Sequence, residues 1–416
     1  MSNIAAPDAA LEAPPDVAPP TSDTYDPAAY EGLDYYALDE LLTDEERAHR
    51  DRVRAFVTEE VKPIIEQHAQ EMTFPRHLVP RFAELGVLGP NLPTQYGGGG
   101  HSDITYGLMM QEIERGDSGL RSFCSVQSSL VMYPIWRYGS EEQKQRWLPQ
   151  LAAGEALGCF ALTEPKHGSN PAGMETTATR EGEHFIINGH KRWSTNASEG
   201  DVCVVWARDD EGDVRGFLVE LDRPGVSAPR IMDKWSLRAA ITSEVVFDEV
   251  RIPASHRLPN VKGLRGPLSC LTQARYGICW GAIGAAMDCY DAALQHAKNR
   301  TQFDRPIGGF QLIQERLADM VQEITKAQLL NWRLGTLKGA GTMRPQQVSL
   351  AKRNNCKVAL DICRSARQVL GGNGVLGMYP VMRHMANLES VVTYEGTHEV
   401  HTLVVGHDVT GLNAFT

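Results

Sequence analysis

Near the end of the chain, Thr393-Tyr394-Glu395-Gly396-Thr397-His398-Glu399 follows Gln368-Val369-Leu370-Gly371-Gly372-Asn373-Gly374, and these two stretches decide how the rest is read. A carboxylate set directly before Gly-Thr joins a base to backbone that can approach a flat ligand closely, because glycine carries no Cβ. The Gln-x-x-Gly-Gly run adds an amide side chain and bare backbone, groups suited to a dinucleotide. Two overlapping patterns invite other readings and fail. His398-Glu399-Val400-His401 spaces its histidines three apart, whereas a zinc-binding His-Glu-x-x-His needs four on one helical face. Gly372-Asn373-Gly374-Val375-Leu376-Gly377 matches Gly-x-Gly-x-x-Gly, but a helical pattern precedes it where a Rossmann turn needs a strand. No metal site is expected.

Working outward, helical patterns run from the Gly/Pro-rich connection at 263–267 to the C-terminus. Leu312, Glu315, Arg316, Asp319 and Met320 have the spacing of an amphipathic helix, and 348–370 reads as another. Before that connection, β-rich runs at 184–188, 202–208, 216–221 and 244–252 are separated by Gly, Asp, Asn and Pro, with a hairpin-like turn at 209–213. Earlier still the chain is helical. Thr43-Asp44-Glu45-Glu46 and Ser140-Glu141-Glu142-Gln143 are capping boxes, and Val53, Phe56, Val57 and Val61 share one side of the helix that the first one opens. The expected organisation is an acidic, disordered lead-in at 1–38, a helical domain at 39–157, a β-domain at 158–258 and a helical domain at 259–416.

The lead-in has no Lys or Arg, which argues against a secretory signal or a mitochondrial transit peptide, so a cytoplasmic location is expected. Over 416 residues the net charge is -11, which argues against a nucleic-acid partner. No apolar run is long enough for a membrane span. Eight cysteines without a Cys-x-x-Cys pair read as buried thiols.

At the entrance to the β-domain, Phe160-Ala161-Leu162-Thr163-Glu164-Pro165-Lys166-His167-Gly168-Ser169 offers backbone N–H groups and hydroxyls on a turn. Alone it is a strand-to-turn junction. Trp193-Ser194-Thr195-Asn196 adds an indole that can flank a flavin ring and a hydroxyl that can reach it. With the C-terminal stretches, these motifs resemble the acyl-CoA dehydrogenase family, with its Thr-Glu-Pro-x-x-Gly-Ser-Asp and Trp-Ile-Thr-Asn; here Asn170 and Ser194 depart from the pattern. The resemblance implies an α+β, mostly helical fold: a helical domain, a middle β-domain and a C-terminal four-helix bundle. It implies FAD held by Phe160, Leu162, Thr163, Ser169, Trp193, Ser194, Thr195, Thr397, His398, Glu399 and Phe415. Arg300-x-x-Phe303 resembles the family's Arg-x-x-Phe-Gly, with Asp304 in place of Gly. Its arginine, with Phe303, Gln311, Gln368, Val369, Leu370, Gly371 and Gly372, would serve the FAD of a neighbouring subunit, which implies a homotetramer.

One branch, the glutaryl-CoA dehydrogenases, is resembled more densely, through 85–90, 125–132, 352–356 and 393–398. A fatty-acyl pocket has no use for a buried Arg, whereas a substrate ending in a carboxylate needs one. The branch therefore assigns Arg121 and Ser122 to the distal carboxylate; the plainer reading of Arg121 is an ion pair with Glu114 or Asp117. Glu114, Thr195 and Tyr394 match decarboxylating members, Arg275 and Gly396 fall at the substrate site, and Ser169 would meet the CoA portion. The implied chemistry is oxidation of glutaryl-CoA with Glu395 as base, loss of CO2 to give crotonyl-CoA, and electron transfer to an electron-transfer flavoprotein. Two alternatives stand: a dehydrogenase of another short dicarboxyl- or branched acyl-CoA, and a flavin-free binding protein.

Overall fold

The computed structural model describes residues 25–415. Thr43 opens α1 (Asp44–Phe56) with the anticipated capping box: its hydroxyl accepts from the Glu46 N–H, and the Glu46 carboxylate accepts from the Thr43 N–H. A π-helical stretch at Val57–Val61 carries the chain into α2 (Lys62–Glu71), and Val53, Phe56, Val57 and Val61 share one buried core. Next come α3 (Val79–Glu84), α4 (Asp103–Gly116), α5 (Ser118–Ser125), α6 (Tyr133–Tyr138) and α7 (Glu141–Ala152), the last opened by Ser140 and Gln143 as a second capping box. The stretches 85–90 and 125–132 meet one another. Ser128 Oγ donates to Val87 O at 3.3 Å and accepts from Gly89 N at 2.8 Å.

The β-rich runs form one seven-stranded sheet from β1 (Gly158–Ala161), β2 (Thr177–Glu181), β3 (His184–Thr195), β4 (Val202–Arg208), β5 (Val214–Glu220), β6 (Val226–Ser227) and β7 (Thr242–Pro253). The order is β1-β4-β2-β3-β7-β6, with β5 beside β4. β3 outruns the predicted 184–188 segment because two register irregularities, at Ile187/Gly189 and Lys191/Ser194, break the alternation by which a strand is recognised.

The C-terminal layer is α8 (Arg265–Asn299), a small hairpin of β8 (Thr301–Gln302) and β9 (Arg305–Pro306), α9 (Gln311–Gly339), α10 (Pro345–Val369), α11 (Val381–Val391) and α12 (His398–Thr410). α8 lies almost backbone to backbone on α4. A Cβ at Gly284 would sit 1.9 Å from Gln111 O, and one at Gly281 would sit 2.0 Å from Glu114 Oε2. That approach places Glu114 against the middle of α8.

The lead-in departs from expectation. Residues 1–24 lie outside the described residues, but residues 25–38 are packed on the helices, not disordered. Tyr25 donates to Asp288 Oδ1 at 2.9 Å, Gln328 Nε2 donates to Leu33 O at 3.0 Å, and Tyr30 is buried with the Arg115 guanidinium 4.3 Å from its ring centroid. Composition averaged over Ala, Pro and Asp hides two tyrosines that each supply apolar area together with a cation or hydrogen-bond contact.

Candidate active site

Glu395 stands in the short loop between α11 and α12, where two consecutive residues, Glu395 at φ 54° and Gly396 at φ 96°, turn the backbone left-handed. Only glycine suits position 396, since a Cβ there would meet His401 Nε2 at 2.8 Å. Thr397 caps α12, its hydroxyl accepting from Val400 N at 3.2 Å; His398 is the first residue of that helix, and Glu399 is exposed in its first turn. Two cations hold the turn from behind. Arg275 Nε donates to the Glu395 carbonyl at 2.6 Å, and Lys352 Nζ donates to the Gly396 carbonyl at 2.8 Å. The Glu395 carboxylate is left unengaged at its buried Oε2. Burial pushes this carboxyl above the usual range, and the fields of Arg121, Arg275 and Lys352 offset only part of that.

Tyr394 faces α5. Arg121 donates through Nε to Glu114 Oε2 at 2.6 Å and through Nη2 to the Tyr394 hydroxyl, while its buried Nη1 has no partner among the described residues. Arg121 and Glu114 are both fully buried, and Ser122 is buried beside them. Burial pushes the Glu114 carboxyl up, against the opposing Arg121 charge. The plainer reading of Arg121 and the functional one therefore coexist: the ion pair with Glu114 forms, and the Nη1 group remains over. Asp117 has another duty. It caps α5, accepting from Gly119 N at 2.6 Å, and is held by Arg383 Nη1 at 2.7 Å and Asn387 Nδ2 at 2.8 Å.

The sheet carries a second group of the anticipated residues. The bulge at Lys191/Ser194 puts Trp193 at φ 65° and swings its indole out of the sheet, 54% exposed, while Ser194 Oγ is buried with no partner among the described residues. Arg192 N donates to Thr163 O at 2.8 Å, which brings the Phe160–Thr163 segment alongside Trp193. Lys191 pins the same segment through Leu162 O at 3.0 Å and Glu164 at 2.9 Å. Burial would raise the Glu164 carboxyl, but the Glu175 N–H, Thr176 and Lys191 hold it down at about 2. Thr195 pairs with Thr242, and the loop before β7 ties this end of the sheet to the helices: Leu237 N donates to Asn387 Oδ1 at 2.7 Å, and Ser236 Oγ donates to Ser390 Oγ at 2.6 Å. Ser169 lies on an exposed loop.

A buried carboxylate with a raised pKa, an arginine with a spare N–H and an aromatic wall fit proton abstraction next to a flat redox cofactor. Family profiles agree. Those of the acyl-CoA dehydrogenase N-terminal, middle and C-terminal domains match residues 43–155, 159–250 and 261–410. The chain belongs to the acyl-CoA dehydrogenase family. It is 54% identical to the crystal structure of glutaryl-CoA dehydrogenase from Mycobacterium smegmatis, with TM-score 0.89 over 91% of this chain and 98% of that one. A glutaryl-CoA dehydrogenase from the same organism in complex with FADH2 is 50% identical, with TM-score 0.91 over 94% of this chain and 100% of that one. The mitochondrial short-chain specific acyl-CoA dehydrogenase of Homo sapiens is 36% identical over 85% of this chain and 87% of its own length.

The cofactor of this acyl-CoA dehydrogenase is FAD. Its residues fit that group, since the protruding Trp193 indole offers a flat face and Ser194 Oγ an unspent hydroxyl. The remaining anticipated contacts are not brought to Glu395. Arg275 and Asn299 are separated along α8 by about 36 Å at 1.5 Å per residue, so Arg300, which follows α8, lies far from the Glu395 turn. Phe303, 88% exposed, and Asp304 form the turn of the β8–β9 hairpin, at φ 51° and 61°. Asp tolerates that left-handed position, which accounts for its standing where the family has Gly. Gln311 begins α9, and Gln368, Gly371 and Gly372 are exposed at the end of α10, while Val369 and Leu370 are buried in the same core as Ala297. Phe415 is exposed beyond α12, whose Asp408 pairs with Arg344 at the opposite end of α10.

Sequence reasoning missed Lys352 and His401. Lys352 is 1% exposed, and its position among Val348, Ala351, Cys356 and Ala359 puts an ammonium on the apolar stripe of α10. A charge on the buried face of an amphipathic pattern was the available signal. His401 is buried under Gly396, and burial, with Lys352 and Arg275 adding to it, pushes its imidazole down to about 3, so it stays neutral.

Proposed function

We propose that this acyl-CoA dehydrogenase oxidises glutaryl-CoA and decarboxylates the product to crotonyl-CoA and CO2. The observation that carries this reading is the buried, unpartnered Nη1 of Arg121. An apolar acyl tail would leave that charged N–H without an acceptor, at a cost of about 1–3 kcal/mol or more. A distal carboxylate accepts from it, with Ser122 beside it as a second donor. Glu395 takes the proton from the α-carbon, its raised pKa bringing its basicity closer to that of the weakly acidic C–H. Its backbone N–H is assigned to the thioester oxygen, where the enolate charge develops. FAD, when bound, supplies the acceptor for the hydride that leaves the β-carbon. Trp193, Thr195, Thr163 and Leu162 hold it on the sheet side. Loss of CO2 from glutaconyl-CoA then leaves a delocalised anion, which takes up a proton to give crotonyl-CoA.

Arg300, Phe303, Gln311 and Gln368–Gly372 hold the FAD of another chain in this reading, since their distance along α8 keeps them from the Glu395 turn of their own. That supports an oligomer, which we take to be a homotetramer; an electron-transfer flavoprotein as acceptor and the cytoplasm as location complete the proposal. The 54% identity to a glutaryl-CoA dehydrogenase is consistent with the substrate. A second reading, a short acyl-CoA oxidised without loss of CO2, is favoured by one observation: Glu114 already neutralises Arg121. Anaerobic mixing with glutaryl-CoA and, separately, butyryl-CoA decides between them. Flavin bleaching and CO2 release with glutaryl-CoA are expected; bleaching by butyryl-CoA alone would replace the first reading with the second.

A further inference from the structure

We propose that Lys352 is a positioning residue which, with Arg275, clamps the Glu395–Gly396 backbone in the turn that aims the Glu395 carboxylate. The inference rests on the reading of Glu395 as the base, and it does not depend on which acyl-CoA is oxidised.

Three observations support it. First, Lys352 is 1% exposed, yet among the described residues it makes no ion pair; its ammonium donates to the Gly396 carbonyl at 2.8 Å. Apart from the Tyr394 ring, whose centroid is 5.9 Å away, that carbonyl is what the ammonium holds, and burying a cation on a neutral acceptor is costly unless the acceptor has to be held. Second, the neighbouring carbonyl, that of Glu395, is held in the same way by Arg275 Nε at 2.6 Å. The two cations come from different helices, α10 and α8, so the loop is fastened to both. Third, Glu395 is a non-glycine residue at φ 54° followed by Gly396 at φ 96°, a conformation that local preference does not supply. With both carbonyls drawn back toward the cations, the carboxylate is left projecting and free at Oε2.

The clamp also carries charge. The Lys352 field favours the ionised form of Glu395, as do those of Arg121 and Arg275. The other titratable groups around this cluster are Glu114, Tyr106, Tyr394, Cys279, Cys356 and His401. Removing Lys352 while the rest remain therefore makes Glu395 harder to ionise. The acid limb of its reaction moves to higher pH.

The test is Lys352→Met in the FAD-loaded enzyme, measured by anaerobic single-turnover bleaching with whichever acyl-CoA bleaches the wild type fastest. The bleaching rate constant is expected to fall about 100-fold, the effect of misplacing a reacting group by about 1 Å. The half-saturating acyl-CoA concentration is expected to change by less than about threefold. The acid limb should shift upward in pH, and hydrogen exchange at residues 394–397 should speed up even without substrate. Should Lys352→Met not fold, Lys352→Ala with added propylamine replaces it, and partial recovery of the rate by the amine is the expected result. A wild-type rate, or a loss confined to substrate affinity with an unmoved acid limb, would overturn the clamp. Glu395→Gln run in parallel separates the two claims: if that variant still bleaches, the base assignment fails, whatever Lys352 does.

Discussion

Asp288 and Glu395 are both carboxylates set among cations in the helical layer, and they come out opposite. Asp288 accepts from the Tyr25 hydroxyl, from Lys62 Nζ and from His384 Nε2. Burial alone would raise its pKa, but Lys62, His384 and Arg115 outweigh burial and hold it well below the usual range. Glu395 also lies in the field of three cations, yet none of the hydrogen bonds they make goes to its carboxylate: Arg121 donates to Glu114 and Tyr394, Arg275 and Lys352 to main-chain carbonyls. Its pKa rises instead. A nearby positive charge does not by itself settle what a buried carboxylate does: at Asp288 the fields of Lys62, His384 and Arg115 and direct hydrogen bonds act together, whereas Glu395 has only the fields of its cations.

The comparison can be broken most sharply at Glu395. Glu395→Gln is expected to lower the single-turnover bleaching rate about 10⁴-fold with FAD still bound, as loss of a general base does. At Asp288 the effect should fall on stability instead. Asp288→Asn strips a buried ion pair of one partner, and urea unfolding should show a loss of about 3–5 kcal/mol with little change in turnover per folded enzyme.

Their pH dependence should differ in sign. The Asp288 pKa is depressed on folding, so its stabilisation is present above its unfolded value, about 4, and is lost as pH falls below it. The Glu395 pKa is raised, so ionising it costs stability as pH climbs above the ordinary Glu value. Glu395→Gln should therefore raise the thermal midpoint at pH 7, while Asp288→Asn lowers it; the same direction for both would break the comparison.

Arg121→Gln comes next. It should lower kcat/KM for glutaryl-CoA about 100-fold and affect butyryl-CoA far less, because Glu114, already inclined to take a proton, can neutralise itself once Arg121 is gone. Smallest is Tyr25→Phe, which removes one hydrogen bond to Asp288 and should cost about 1 kcal/mol in thermal unfolding.

Legibility in the sequence followed the range of the forces involved. The capping boxes at Thr43 and Ser140 involve partners three residues apart, and both appear in the structure as read. The Glu395-Gly396-Thr397 turn was legible as a motif for a related reason, since a glycine and a helix cap are local devices. The later part of β3 was not, because a bulge that turns Trp193 outward breaks the alternation and depends on pairing with β7. Composition averages Tyr25 and Tyr30 away, and the role of Lys352 follows only from the burial of its helix face.

By itself, then, the sequence determined the order of helical layer, sheet and helical layer, the caps that start the helices, and which chemical groups were at hand. Tertiary structure decided what those groups do. Tyr25 reaches Asp288 across 263 positions, and Arg121 reaches Tyr394 across 273. Ionisation of a buried carboxylate depends on every donor and every low-dielectric surface around it, and those arrive from elements that no local pattern connects.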